Sequence, residues 1–405
     1  MMKFADVEEG DIRMSASVLD DIKVIDTDTH VIEPPDLWTS RVSTKRWGDL
    51  VPHVAWDEAR QEEAWFFGDN RVSGAASPAM AFWTEYPPLH PTRYDQADPT
   101  TKEPKARLAL MDEYGIHAQV LYPNVAGFGT GRFLAVRDTE LMLACVRAYN
   151  NFLIDYAATA PGRFVPVAAV PFWDVDVAVR EIQRAASIGH RGIVFGSQPE
   201  AWGAPELTAR HWDPIWAAAQ EAGLPVNFHI ASGDLSEMEN GNPENGMHAN
   251  YAALGVSFFM GNARAVAKLT TGGICHRFPR LNFVSVESGI GWIPFALNAL
   301  DWQWKNCGVA REHPEYDLLP SEYFRRQIFG CFWFERDTLL STIELLGDDN
   351  ILYETDFPHP TSMTPGPATS AVAPREFLES WVAELPRPTV EKILHDNAAR
   401  LYRLA

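Results

Sequence analysis

Residues 23–30 read KVIDTDTH and carry the pattern that decides the fold. The stretch begins with β-branched apolar residues and ends in polar ones, as does a buried strand that carries functional groups at its end. Seven further stretches of this kind follow, at 118–123, 164–170, 191–196, 225–230, 282–287, 327–331 and 350–356. Helix-like segments separate most of them, at 138–160, 175–188, 214–222, 263–269, 293–304, 337–346 and 390–402. Eight strands alternating with helices predict an α/β fold, a closed (β/α)8 TIM barrel.

Two insertions interrupt this alternation. The region at about 33–104 is rich in Trp, Pro and Tyr and follows the first strand, so we expect it to form a lid or pocket wall. A polar insertion at 232–253 follows the fifth strand. The organisation we predict is an N-terminal arm at 1–22 and a single barrel domain at 23–405.

Charge and composition exclude several classes of protein. The chain has 34 Lys and Arg against 54 Asp and Glu, a net charge of −20, which disfavours binding to nucleic acid or to an anionic membrane. Its four cysteines form no CxxC pair, and the acidic start lacks the apolar run of a secretory signal. We expect a cytoplasmic protein with reduced thiols, acting on a small molecule.

Titratable side chains fall at the ends of the predicted strands. Six of them belong to this set: Asp28, His30, Glu33, His229, Glu287 and Asp356. In a barrel, such strand ends meet at one mouth and read as catalytic. Two imidazoles and four carboxylates would repel one another unless a divalent cation compensates them, and four carboxylates can serve two cations. The pattern therefore predicts a metal site formed by all six residues.

Two further histidines need separate interpretation. His359 lies three residues beyond Asp356 in the run DFPHPTS, where a pocket residue and a proline-flanked turn are equally good readings. His276 precedes the sixth strand, and a six-residue strand spans about 20 Å. We therefore expect His276 at the opposite end of the barrel from Glu287, in a structural role.

Five stretches carry a family resemblance: IDTDTHVIEPPDLW, PVNFHIASG, RFPRLNFVSVESGIGWIPF, LYETDFPHP and ILHDNAARLY. Together they resemble the amidohydrolase-related barrels of the aminocarboxymuconate-semialdehyde decarboxylase type. The resemblance covers roughly residues 24–404. It implies a distorted (β/α)8 barrel, a homodimer and a divalent metal, with ligands at the positions of Asp28, His30, His229 and Asp356.

The chain departs from that pattern at two of these strand ends. Asp28 stands where the family has His or Glu, and Glu287 stands where the family decarboxylases have a catalytic His. A carboxylate replaces a neutral imidazole poorly in acid–base catalysis but is a good ligand for a second metal. The sequence also resembles a branch of the family that contains a nonheme diiron monooxygenase of platensimycin and platencin diterpenoid biosynthesis.

The favoured expectation is therefore a dinuclear nonheme iron monooxygenase that uses O2 to hydroxylate a bulky apolar, terpenoid-type acyl substrate. Glu287 and His359 are its candidate catalytic residues, and two iron ions are its cofactors. Aromatic residues of the first insertion would suit such a substrate, although packing within a lid explains them equally well. These residues are Trp38, Trp47, Trp56, Trp65, Phe66, Phe67, Phe82 and Trp83.

Two alternatives remain. A metal-dependent hydrolase or decarboxylase with one Zn or Mn is what most family members suggest. A non-enzymatic barrel is the other, but it leaves the clustered carboxylates unexplained. Metal content distinguishes the diiron monooxygenase, with two irons per chain, from the hydrolase or decarboxylase, with a single Zn or Mn.

Overall fold

The barrel strands and a small hairpin sheet account for the β-structure. The computed structural model describes residues 17–125, 131–233 and 241–404. The strands are β1 (Val24–His30), β2 (His53–Asp57), β3 (Glu62–Phe67), β4 (Asn70–Gly74), β5 (Ile116–Tyr122), β6 (Phe164–Ala169), β7 (Gly192–Val194), β8 (Val226–His229), β9 (Phe283–Val286), β10 (Ile328–Phe332) and β11 (Ile351–Tyr353).

The helices surround the barrel and follow its strands. They are α1 (Thr44–Trp47), α2 (Pro104–Tyr114), α3 (Thr139–Ala157), α4 (Val175–Ile188), α5 (Asp213–Ala222), α6 (Met247–Thr271), α7 (Ile274–Arg277), α8 (Ile293–Cys307), α9 (Val309–Glu312), α10 (Pro320–Gln327), α11 (Arg336–Leu346), α12 (Pro374–Glu379), α13 (Arg387–Glu391) and α14 (Asn397–Tyr402). No helix in these described ranges is both long and apolar enough to cross a lipid bilayer.

Eight parallel strands form the main sheet, in the order β1-β5-β6-β7-β8-β9-β10-β11. The circle closes just beyond β11, where the amide of His30 donates to the Phe357 carbonyl (2.7 Å) and the amide of Asp356 donates to the Asp28 carbonyl (3.0 Å). All residues of these strands are buried except His117, because helices cover the outer face and side chains fill the interior. The predicted (β/α)8 barrel is confirmed.

All eight predicted barrel strands are present within a few residues of their expected limits. The segment expected to be helical at 263–269 belongs to the much longer α6. The C-terminal helix expected at 390–402 is interrupted by a π-helical turn at Lys392–Asp396. Residues 1–16 of the proposed arm and 234–240 of the second insertion lie outside the described residues, and the division into arm and single domain stays a prediction.

The insertion after β1 contains its own antiparallel sheet, β2-β3-β4. Of its aromatic residues, Phe82 and Trp83 line the large cavity above the barrel. Trp38 and Trp65 instead pack edge to face, with their ring centroids 5.0 Å apart, in the hydrophobic core. Most of the aromatic set is therefore packing for the insertion, because burial of large rings holds this sheet against the barrel.

Candidate metal centre

Side chains from β1, β8 and the loops after β9 and β11 meet at the carboxyl end of the barrel. Asp28, His30 and His229 are completely buried, and Glu287 is 8% exposed. One ligand atom from each of these four residues lies within 4.8 Å of the others. A second group with the same spacing contains His30, Glu287, Asp356 and His359. The two groups share His30 and Glu287.

Backbone carbonyls determine which ring nitrogen each central histidine presents. The Nδ1 of His30 lies 3.3 Å from the carbonyl of Pro123, and the Nδ1 of His229 lies 3.0 Å from the carbonyl of Ile230. A carbonyl only accepts, so both Nδ1 atoms carry hydrogen, and the Nε2 of each neutral ring is an acceptor. A hydrogen bond of this kind typically orients a metal-ligating histidine.

Acceptor atoms therefore converge on the centre of the site. The Nε2 of His30 lies 3.2 Å from the Nε2 of His229, 3.4 Å from the Oδ1 of Asp28 and 3.6 Å from the Oδ1 of Asp356. No backbone amide or hydroxyl group among the described residues donates to the carboxylates of Asp28 and Asp356, which face the ring nitrogens of His30, His229 and His359 instead. Buried acceptors without donors are costly, so the arrangement requires a proton or a cation between them.

The pKa shifts indicate the same attraction for positive charge. Burial opposes ionisation of Asp28, but the charge of His229 and the polar contacts with His229 and His30 outweigh it and lower its pKa to about 2. Burial lowers the pKa of His229, yet the nearby carboxylates of Asp28 and Glu287 raise it overall. Burial lowers the pKa of His30 to about 4 and so keeps that ring neutral, as a metal ligand must be.

Burial acts in the opposite direction on the other carboxylates. It raises the pKa of Glu287 to about 8, so that this group retains its proton near neutral pH. It also raises the pKa of Asp356 well above the usual range, with the charges of Glu287 and Asp28 adding to the effect. A bound divalent cation would lower the pKa of the carboxylates that coordinate it, because it stabilises their ionised form. The donor set therefore fits a metal ion.

Backbone strain accompanies two of these carboxylates. Glu287 has φ 56° and Asp356 has φ 59°, a left-handed conformation that non-glycine residues rarely adopt. Such outliers concentrate where function fixes a side-chain direction. The loop after Glu287 is held by Glu335, whose carboxylate accepts from the amides of Ile290 (2.9 Å) and Gly291 (2.8 Å).

Gly289 permits this anchoring. It has φ 67°, and a Cβ at this position would lie only 2.7 Å from the Glu335 carboxylate. A larger residue would therefore meet both a conformational penalty and a clash. The glycine keeps Glu335 close to the loop that carries Glu287.

Asp26, which the sequence interpretation missed, ties β1 to the segment that follows β11. Its carboxylate accepts from the Thr355 amide (3.0 Å) and hydroxyl (2.6 Å) and from the Gln119 side chain (3.3 Å). Burial raises its pKa to about 7. Because Thr355 precedes Asp356, this network fixes the strand ends from which Asp28 and Asp356 extend.

His359 enters the site as a pocket residue rather than as a turn residue alone. Its ring stacks on His30 with centroids 3.6 Å apart. Its Nε2 lies 2.7 Å from the Oδ1 of Asn124 and its Nδ1 lies 2.9 Å from the Oδ1 of Asp356. The Asn124 amide group donates to the Val31 carbonyl (2.9 Å), so Oδ1 accepts and His359 Nε2 donates.

Glu33 is the predicted ligand that belongs to neither metal-capable group. Its carboxylate accepts from the amides of Asn124 (2.8 Å) and Val125 (3.0 Å) and from the Asn124 side chain (3.3 Å). These donors bind the carboxylate to the loop after β5. Glu33 therefore stabilises that loop, and its role as a metal ligand stays a prediction.

Two more buried charged residues escaped the sequence interpretation. Glu354 accepts from the amide of Glu287 (3.0 Å), and burial raises its pKa well above the usual range. Arg107 of α2 donates to the carbonyl of His30 (2.7 Å) and to that of Thr100 (2.6 Å). Glu354 lies two residues before Asp356 in the same polar run, which is the signal that could have revealed it.

His276 lies away from this site, as expected. It belongs to the short helix α7 before β9, and its side chain is partly exposed. Its Nδ1 lies 3.4 Å from Asp317 and 3.3 Å from the hydroxyl of Tyr323. Neither metal-capable group found in the described residues includes it.

A cavity of about 890 Å³ opens above the metal group and is lined by Glu287 and His359. Its walls come from the insertion after β1, from the first half of α6 and from residues 359–372. Tyr251 of α6 lines it too, and burial together with the charges of Glu287 and Asp356 keeps its phenol protonated by raising its pKa.

Comparison with known proteins agrees with this arrangement. The family model for amidohydrolases matches residues 25–404, which is nearly the whole chain. The chain belongs to the amidohydrolase family. A relative in this family is the γ-resorcylate decarboxylase of Polaromonas sp. strain JS666, 27% identical over 264 residues, which is 62% of this chain and 76% of the relative.

Solved structures share the fold of this amidohydrolase. An amidohydrolase from Mycobacterium avium subsp. paratuberculosis superposes with a TM-score of 0.74 at 24% identity, covering 94% of this chain and 99% of the other. The 5-carboxyvanillate decarboxylase of Novosphingobium aromaticivorans, solved with manganese, superposes with a TM-score of 0.64 at 18% identity, covering 95% and 97%.

These findings overturn the favoured functional expectation. The prediction of a dinuclear nonheme iron monooxygenase, an oxidoreductase, is wrong, because the relatives that match are decarboxylases. That prediction depends mainly on Glu287, which departs from the family pattern, and one such residue is not enough to indicate oxygen chemistry. The alternative, a metal-dependent hydrolase or decarboxylase, agrees better with the relatives.

Proposed function

We propose that this amidohydrolase is a metal-dependent decarboxylase of an aromatic carboxylic acid. The observation that carries the proposal is the buried group of Asp28, His30, His229 and Glu287 at the floor of a large cavity. Family membership supports it, and so do relatives named as decarboxylases of γ-resorcylate and of 5-carboxyvanillate. Both of those compounds are aromatic carboxylic acids.

The proposed ligands of one divalent metal ion are Asp28, His30, His229 and Asp356. Two imidazoles and two carboxylates suit Mn or Zn, and a solved relative holds manganese. When bound, such an ion acts as a Lewis acid that attracts the carboxylate of a substrate. The carbonyls of Pro123 and Ile230 hold the two rings in the ligating tautomer.

Decarboxylation breaks the bond between the ring carbon and the carboxylate, and CO2 leaves. The electron pair stays on the ring carbon, which must then take a proton. Glu287 lines the cavity, and in the metal-free protein burial raises its pKa to about 8, which favours a retained proton. We therefore assign Glu287 as the proton donor, a role for which the ideal pKa lies near the working pH.

His359 positions its neighbours in this proposal. Burial lowers its pKa well below the usual value, so the ring is neutral. Its Nε2 donates to Asn124, so its Nδ1 is an acceptor, and in the metal-free protein Nδ1 can accept the proton that burial keeps on Asp356. Stacked on His30, the ring limits the movement of that proposed ligand and keeps water away from one side of it.

The experiment is to load the purified protein with manganese and incubate it with 2,6-dihydroxybenzoate, 5-carboxyvanillate and larger aromatic acids under nitrogen. We expect release of CO2 with the decarboxylated arene as product, and loss of the reaction after treatment with a chelator. Turnover that requires O2, or no CO2 from any aromatic acid, would contradict the proposal.

A metal-dependent hydrolase is the second candidate, and Glu287 favours it. This carboxylate stands where the decarboxylases that the chain resembles carry histidine, and beside a metal it can accept a proton from water. Ester or lactone cleavage by the manganese-loaded protein, without CO2 release, would support this candidate instead.

A further inference from the structure

The size of the cavity sets a limit on the substrate. A cavity of about 150 Å³ holds a benzene molecule, so the 890 Å³ here is about six times what a single ring needs. It lies near the upper end of the roughly 300–1,000 Å³ found for pockets that bury drug-sized ligands. A compound with one small ring would leave most of this space to water.

The lining of the cavity is predominantly apolar and aromatic. Rings and aliphatic side chains come from several parts of the chain, among them Phe82, Trp83, Trp202, Phe258, Trp333 and Met363. Burial of apolar area against such walls contributes about 25 cal/mol per Å². The walls therefore favour an extended apolar molecule over a small polar one.

Arg132 is the exception in this lining. It is the only lysine or arginine among the described residues that line the cavity. No hydrogen bond or ion pair joins its side chain to another residue in the described ranges, whereas the buried Arg107 has four hydrogen-bond contacts. Burial lowers the pKa of Arg132, and the charge of Glu33 opposes that shift. A cation in an apolar wall, with Glu33 as the counter-charge acting on its pKa and no ion pair among the described residues, is suited to an anionic ligand.

Glu33, whose charge acts on Arg132, begins a chain of contacts that leads to the metal group. Glu33 binds Asn124, Asn124 accepts from His359, and His359 contacts Asp356. The rest of the cavity floor is rich in carboxylates, which would repel an anion. Arg132 thus offers a positive charge in the lining of the same cavity that Glu287 and His359 line.

We propose that the substrate is an aromatic acid larger than one ring, and that Arg132 binds its anionic group while the apolar walls bind its body. The inference rests on the proposed function for the identity of the acid, but it concerns binding alone. Arg132 is therefore assigned as a specificity-determining residue. The guanidinium suits a carboxylate because it presents paired donors in a planar fork.

The test measures binding without turnover, on the full chain with and without manganese. The compounds are pyrene-1-carboxylate, its neutral partner pyrene-1-methanol, and benzoate, followed by calorimetry or pyrene fluorescence. We expect pyrene-1-carboxylate to bind at least tenfold more tightly than either of the others. Arg132→Gln should weaken its binding about 10- to 100-fold, as for a lost bond to a charged group, and leave pyrene-1-methanol unchanged.

Two further variants control for folding and for size. Arg137→Gln changes an exposed arginine five residues along the same loop and should change no affinity. Gly255 lines the cavity, and a Cβ added there would meet no atom within 4 Å, so Gly255→Phe should narrow the cavity. It should weaken pyrene-1-carboxylate about tenfold and spare benzoate.

The outcomes separate this inference from the proposed function. Tight, Arg132-dependent binding of the pyrene acid in a protein that releases no CO2 would support the inference and contradict the decarboxylase. Equal binding of benzoate and pyrene-1-carboxylate, or an unchanged affinity in Arg132→Gln, would overturn the inference whether or not CO2 is released. Retained binding of pyrene-1-methanol shows that the variant is folded.

Discussion

The Nε2 atoms of His30 and His229 lie 3.2 Å apart, and each ring carries its hydrogen on the opposite nitrogen. Were both imidazoles neutral, their lone pairs would face each other, which is unfavourable without a positive charge between them. The carboxylates of Asp28 and Asp356 lie 3.4 and 3.6 Å from the Nε2 of His30, and Asp28 is among the groups that raise the pKa of His229. The relation between these two rings is therefore the strongest structural reason to place a cation here.

Glu287→Gln tests the role assigned to the residue in which this chain departs from the proteins it resembles. The variant keeps the shape of the side chain but removes its acidic proton. With Glu287 as proton donor, we expect unchanged metal stoichiometry and a turnover lowered by about 10²- to 10⁴-fold. Elemental analysis and CO2 release measure the two quantities. A loss of bound metal would instead make Glu287 a ligand.

The metal-free protein should lose stability as the pH rises from about 6.5 to 8, above the range in which the lowered pKa values of the buried His30 and His190 oppose this slope. Folding raises the pKa of Asp26 to about 7 and that of Glu287 to about 8, so the folded state holds protons that the unfolded state has released. Their contribution is complete below the unfolded pKa values and is lost as the pH rises through the folded ones. Each group contributes a slope of up to about 1.4 kcal/mol per pH unit.

Thermal unfolding of the chelated protein at about pH 6.5, 7, 7.5 and 8 measures this slope. Asp26→Asn should flatten it, whereas Asp21→Asn, at an exposed position, should leave it unchanged. A melting temperature that rises steadily over this range in the metal-free protein would contradict the pKa directions.

Arg107→Met tests the support beneath His30. The guanidinium is completely buried and donates to the carbonyls of His30, Thr100 and Thr101. Its loss leaves those acceptors without donors, and we expect unfolding in denaturant to become easier by about 2–5 kcal/mol. Lys105→Met, an exposed change on the same helix, should cost less than about 0.5 kcal/mol. Equal effects of the two variants would remove this role from Arg107.

Glu33→Gln tests whether Glu33 binds the metal. The new amide group would face the side-chain amide of Asn124, which already donates to Glu33. We expect full metal content with stability lowered by about 1–2 kcal/mol, since one hydrogen bond is lost. Should the variant bind less metal than the wild type at equal concentration, Glu33 would be a ligand.

Most of the fold could be predicted because each barrel strand is a continuous buried run, and buried runs are visible in sequence. The positions of Asp28, His30, His229, Glu287 and Asp356 followed from the same patterns, since parallel strands end on one side of a barrel. The direction of a side chain just beyond a strand is less certain. Glu33 follows β1 by three residues, and the two backbone amides that donate to its carboxylate belong to a different loop, the one after β5.

Other features depend on contacts that no local pattern contains. The left-handed conformations of Glu287 and Asp356 are imposed by the surrounding loops. Arg107 lies on α2, and its link to the His30 carbonyl joins residues 77 positions apart. The reaction was the least predictable property, because residues that bind a metal serve hydrolysis, decarboxylation and oxygen chemistry alike.

The central claim is that His30 and His229 hold a divalent metal with neighbouring carboxylates, and metal analysis of His229→Ala tests it most directly. After incubation with manganese and removal of free ions, we predict about one ion per chain in the wild type and almost none in His229→Ala. The control His276→Ala alters a histidine before β9 and should keep its metal, with a loss of about 1–2 kcal/mol in stability at most. Full manganese occupancy in a folded His229→Ala protein would contradict the claim.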